Sequence, residues 1–147
     1  RPKKKVQEKM QGFFRKESDQ NTRLKNIGKQ VAEYMNNTVI VASHKDSLYY
    51  TGIANLFSQA EFKDSIHAIN ISSVFDECEE RMGDLYDAVQ KNEVKVLVGS
   101  ENPLGDVCGM VAIRVGQNAL FAVIGPMRMD YGQAIGLLNY ISNHIKD

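Results

Sequence analysis

The sequence lacks any run approaching the roughly 18 to 20 consecutive apolar residues that a membrane-spanning helix needs. It also lacks an opening charged-then-apolar signal segment. Both absences lead us to expect a cytoplasmic protein without membrane contact. Cysteine occurs only at Cys78 and Cys108. No CxxC accompanies them and no histidine stands at ligand spacing, so they read as buried core thiols in a reducing compartment. The 3 prolines and 11 glycines form no low-complexity tract, which excludes collagen-like order, and a hydrophobic content of 43% excludes a disordered chain. Charge of one sign is not in excess, with 18 Lys+Arg against 18 Asp+Glu, so whole-surface attraction to nucleic acid is not expected.

Catalytic signatures are missing as well. The chain contains no phosphate-cradling GxxxxGK[ST], no GxGxxG after a strand, no GxSxG elbow and no HExxH. His44, His67 and His144 are far apart and have no supporting carboxylates at useful spacing. The acidic run Asp76, Glu77, Glu79, Glu80 lies opposite an apolar stripe and reads as a solvated helix face. Neither Cys78 nor Cys108 has a nearby base to lower its pKa. We therefore expect no enzyme, no metal and no cofactor.

What remains, 147 residues of which 24% are charged, fits one ordinary domain. Its charge is uneven. Residues 1–30 carry ten basic and three acidic side chains, and Lys3, Lys4 and Lys5 stand together. This cluster reads either as a solvated linker or as a weak phosphate contact through counterion release. The chain opens on Arg1-Pro2 without an initiating methionine, as expected of a piece of a longer or processed product.

Apolar periodicity predicts the elements. Val6, Met10, Phe13 and Phe14 mark a short linker helix. Leu24, Ile27, Val31, Tyr34 and Met35 mark a helix with Asp19 or Asn21 as N-cap and Asn36-Asn37 as its stop. Thr38–Ser43 and Leu48–Thr51 read as a hairpin across a polar turn. A short helix or turn follows over Gly52–Phe62. A long stripe then runs from Ile71 through Val74, Phe75, Cys78, Met82, Leu85 and Tyr86 to Val89, more than one sheet-covering helix requires, so part of it is expected to form a subunit contact. Strands are predicted at Val94–Gly99, Val107–Val115 and Ala119–Ile124. A last helix, capped by Asp130, carries Ala134, Ile135, Leu138, Ile141 and Ile145 on one face. The order predicts an α+β layer, helices against an antiparallel sheet.

Two loops look too specific for mere turns. Gly99-Ser100-Glu101-Asn102-Pro103 ends a strand. Val123 to Tyr131 turns a buried strand through Gly125-Pro126 into a helix with Arg128 and Asp130 at its mouth. Asp130 is a natural cap. Arg128 is expected either to pair with Glu101 across the sheet edge or to contact a ligand or partner.

At these residues the chain resembles the heat-inducible transcription repressor HrcA family. VIGPMRMDY, from Val123 to Tyr131, is similar to that family's VIGPTRMDY. LYYTGIANLFSQAEFKD, from Leu48 to Asp64, resembles its GlsNLLsQPEFsD, and VLVGSEN, from Val96 to Asn102, resembles its vrIGsEN. Ala60 replaces a proline and Met127 a threonine. The resemblance implies a GAF-like antiparallel sheet flanked by helices over residues 21–147. Residues 1–20 would then be a basic linker helix from a missing winged-helix domain. The short turn between Val41 and Leu48 implies a shortened variant without the inserted dimerising domain. It further implies a homodimer that reaches operator DNA through the missing domain, with a GroEL-type chaperonin as regulator. Glu101, Asn102, Gly125, Pro126, Arg128, Asp130 and Tyr131 form the candidate regulatory, partner or structural site. The alternative is a GAF-like small-molecule sensor, with a pocket between the strand at Val107 and the Gly125-Pro126 turn.

Overall fold

Leu24, Ile27 and Val31 recur at helical spacing, and all three are buried on one face of α1 (Gln20–Met35) in the computed structural model. The structure describes residues 4–5, 7–8, 20–44, 47–58, 78–89, 93–98, 108–115 and 119–145. Helix α1 already includes Asn21, which is therefore not its cap; Asp19 lies outside the described residues. It stops at Asn36, whose φ of 56° is the left-handed conformation that asparagine tolerates at helix ends. Gly28 lets α1 approach the sheet closely: a β-carbon there would lie 3.3 Å from both Val39 Cγ1 and Val41 Cγ2.

The β-branched run that follows forms β1 (Thr38–His44), which pairs antiparallel with β2 (Ser47–Thr51) as a hairpin closed by His44 opposite Ser47. After the five-residue helix α2 (Ile53–Phe57) come helix α3 (Cys78–Ala88) and strands β3 (Val94–Leu97), β4 (Cys108–Val115) and β5 (Ala119–Pro126). Helix α4 (Tyr131–His144) closes the order. The described strands form one five-stranded sheet, ordered β2-β1-β5-β4-β3. Every pairing in it is antiparallel. The expected α+β architecture is therefore present.

Side chains alternate across a strand, and here both faces are covered. Val39, Val41, Val111, Ile113, Phe121 and Val123 face α1 and α4. Ile40, Ala42, Met110, Ala112, Leu120 and Ile124 face α2 and α3, together with Leu56, Leu85, Tyr86 and Val89. This double coverage explains why β4 and β5 read as continuous apolar runs rather than as alternating ones. Each fully buried aliphatic or aromatic side chain contributes about 1.5–3 kcal/mol to holding the layers together. Helix α4 buries Ala134, Leu137, Leu138 and Ile141, so Leu137 joins the expected face while Ile135 packs at its margin.

Tyr86 fastens α3 to the sheet. Its hydroxyl donates to the Ala42 carbonyl at 2.9 Å, and its own carbonyl accepts from the Arg114 guanidinium. That guanidinium also lies over the Tyr86 ring, 5.2 Å from its centroid, and serves the carbonyl-rich end of α3. Burial pushes the Tyr86 phenol up to about 12, an effect that neighbouring Arg114 partly offsets. Leu85, Tyr86 and Val89 are thus spent on the sheet, and the side chain of Met82 lies outside the described residues. Ile71, Val74 and Phe75 lie outside the described residues.

Candidate functional site at one end of the sheet

Gly125 and Pro126, expected to form the turn after a strand ending at Ile124, instead complete β5, opposite Gly109 and Cys108 of β4. A proline is tolerated there because a terminal strand position needs no donor from it. The reversal falls on the next residues, where Met129 N donates to Pro126 O at 2.9 Å. The predicted strand Val94–Gly99 is by contrast shorter than expected, ending at Leu97.

The paired glycines make room for two polar side chains. A β-carbon on Gly109 would stand 2.0 Å from the Tyr131 hydroxyl oxygen and 2.9 Å from its Cζ. One on Gly125 would stand 2.7 Å from Asn37 Oδ1. Where the sequence placed a ligand pocket, beside β4 and the Gly125-Pro126 segment, Tyr131 and Asn37 fill the space over the glycine pair. Cys108 is buried there, as expected of a core thiol. The side chain of Cys78 lies outside the described residues.

Asp130 caps α4 as predicted, its Oδ1 accepting from Gln133 N at 3.0 Å. Tyr131 reaches back to donate its hydroxyl to Met127 O at 2.7 Å. Burial, reinforced by the neighbouring Cys108, pushes the Tyr131 phenol up, so it remains a donor. Met129 is buried and anchors the turn, while Met127, Arg128 and Asp130 are exposed.

The second signature segment arrives at the same end. Gly52 has φ 77°, and a β-carbon there would lie 2.6 Å from Asn37 O, so only glycine fits. Asn55, on α2, donates its amide to Ala32 O at 3.2 Å and to Asn37 O at 3.0 Å, tying α2 to the end of α1. Thr38 Oγ1 donates to Gly52 O at 2.9 Å. Asn37 therefore stands between the two segments: its backbone is held by the Gly52–Asn55 side and its side chain packs on Gly125. Strand β3 also ends here, with Leu97 opposite Met110, two residues before the third segment's glycine.

Glu101 and Asn102 lie outside the described residues, as does the expected Glu101–Arg128 pair. Lys4 and Lys5 are exposed on helical backbone, and Lys3 is outside. Among the described residues no three His, Cys, Asp or Glu side chains gather as a metal site. Sequence reasoning missed Asn37, Asn55 and Gly109. A glycine inside a strand signals close backbone or side-chain approach, and that signal at Gly109 was available.

The family model described as HrcA protein C terminal domain matches residues 2–135. The chain is 27% identical over 125 residues to the heat-inducible transcription repressor HrcA of Bacillus pumilus, covering 80% of this chain and 35% of that protein. It is 30% identical over 127 residues to the repressor of the same name from Desulforudis audaxviator, covering 80% and 37%. With that of Ruminiclostridium cellulolyticum it shares 28% over 114 residues, 73% of this chain and 33% of the relative. The chain thus spans about a third of the length of these relatives. No solved structure matches.

Proposed function

The chain belongs to the HrcA C-terminal domain family, and from that premise we propose that it is the regulatory and dimerisation domain of a repressor of heat-shock (chaperone) genes. It acts in the cytoplasm, on operator DNA reached through a separate DNA-binding domain, and with a GroEL-type chaperonin as regulator. The observation that carries this reading is the convergence of the family's signature segments on one end of the sheet. Their residues there are occupied in cross-bracing: Gly125 against Asn37, Tyr131 against Gly109, Asp130 on the α4 N-terminus. Such a set stiffens a scaffold and, among the described residues, places no nucleophile beside a base, which accords with relatives named as repressors. Among the described residues no helix is long and apolar enough to cross a membrane.

Deleting residues 20–147 from the gene tests the reading. Chaperone-operon transcripts should rise at ordinary growth temperature, because the remaining protein loses the domain that assembles it on the operator. Unchanged transcripts would contradict it.

A further inference from the structure

An open sheet has two outer strands, and the chemistry of the two differs here. Strand β3 is guarded: it is four residues long, carries Lys95, and holds that lysine 4.0 Å from Glu93. Short edges that carry charge resist pairing with a further strand. Strand β2, at the opposite edge, has neither a charge nor a proline in Ser47–Thr51. The irregularity in its pairing falls between Ala42 and His44, at the turn, and leaves Leu48–Thr51 in regular register. Among the described residues no strand pairs with its outer side. Its side chains are all half-buried, Tyr49 against the α1 layer and Leu48 and Tyr50 against the layer of α2 and α3. A strand added there would meet apolar neighbours on both faces.

Helix α1 overhangs this edge. Lys25 Nζ lies over the Tyr49 ring, 5.4 Å from its centroid, and a β-carbon on Gly28 would lie 3.7 Å from Thr51 Cγ2. Helix and strand therefore run side by side in one direction. Lys29, exposed, stands one turn after Lys25 on the same side of α1. Glu33 follows a further turn on, past the end of β2, where Ala32 lies against Gly52. Among the described residues neither lysine has an ion-pair partner. Four residues of helix advance about 6 Å and two residues of strand about 6.7 Å, so the lysines match the spacing of alternate side chains on a strand.

We propose that the outer side of β2 is a docking edge for an extended acidic segment of another protein. The segment adds as a further strand and sets two carboxylates, at alternate positions, beside Lys25 and Lys29. Main-chain hydrogen bonds to β2 supply the affinity and the lysines select the sequence. The occupant follows from charge: β2 of a second copy, Ser-Leu-Tyr-Tyr-Thr, brings no carboxylate to these lysines. A nucleic acid would meet the lysines and leave the strand's main-chain groups unpaired. The proposal goes beyond the repressor reading and does not depend on it.

The test is a titration of the 147-residue chain into a labelled short peptide, capped at both ends, in which two glutamates alternate with valine and threonine. Fluorescence anisotropy up to about 1 mM chain should show saturable binding, and amide hydrogen exchange should slow in β2 and not in β3. Glutamine in place of both glutamates should weaken binding about tenfold, and Lys25→Gln or Lys29→Gln about threefold each. Both lysines are outside the core, so the melting temperature should hold. N-methylation of the peptide on alternate nitrogens should abolish binding in one register and spare it in the other, because only one set faces β2. No binding by the folded chain, equal loss in both methylation registers, or protection away from β2 would each overturn the proposal. An oligothymidylate that binds more tightly than the peptide would assign the lysines to phosphates and overturn it too.

Discussion

Tyr131 occupies the space that a side chain on Gly109 would need, with its hydroxyl oxygen 2.0 Å from the β-carbon site. Tyr131 opens α4 and Gly109 sits in β4, so this contact sets how closely the helix approaches the sheet. Gly109→Ala should cost about 1–3 kcal/mol, because both Tyr131 and the backbone must shift. Pairing it with Tyr131→Ala should cost less than the two single changes added together, since the clash is removed. Urea denaturation of the four proteins checks this; strict additivity would mean that the contact is not the constraint.

Asp130 is the N-cap of a 14-residue helix. Its replacement by alanine should destabilise the fold by about 1 kcal/mol, whereas asparagine should be close to neutral. Equal losses for the two variants in thermal unfolding would show that the carboxylate charge matters and the cap bond does not.

Asn55 makes two hydrogen bonds to main-chain oxygens at the end of α1. Asn55→Ala leaves Ala32 O and Asn37 O without that donor and should cost about 1–3 kcal/mol. Hydrogen exchange should quicken in the last turn of α1 and the first residues of β1, and not in α4. Faster exchange in α4 instead would contradict the assignment of this residue to the α1–α2 brace.

Tyr86 predicts a pH dependence. Its phenol is raised from 10.0 to about 12 in the folded chain, so the folded state holds the proton more tightly than the unfolded state does. The stabilisation this brings is fully present below pH 10 and is lost as pH rises through 12. Tyr86→Phe removes the bond to Ala42 O, costs about 1 kcal/mol near neutral pH and should flatten stability against pH in that window. A wild-type curve no steeper than that of the variant would contradict this.

Much of the fold was legible because local chemistry and burial agree. The β-branched runs at Thr38–Ser43 and Val107–Val115 became β1 and β4, and the Asp130 cap and most of the α4 face fell where spacing put them. The boundary at Gly125-Pro126 did not, because a Gly-Pro pair is a turn signal by local rules while pairing with Gly109 and Cys108 carries the strand through it. Asn37 and Asn55 were illegible for a related reason. Their partners lie far away along the chain, and only the folded sheet brings Asn37 to Gly125 and Asn55 to Ala32. Likewise Leu137 was left off the α4 face, since one more apolar residue at that spacing is informative only once α4 is seen on β4 and β3.

The most direct test of the central claim is fluorescence anisotropy of the gene product containing this chain, against a labelled inverted-repeat operator and a scrambled duplex at several salt concentrations, with and without chaperonin. A repressor whose regulatory half is this domain prefers the operator by about a thousandfold or more, and chaperonin raises that affinity at every salt concentration. Equal binding to both duplexes, or none to either, would contradict the account.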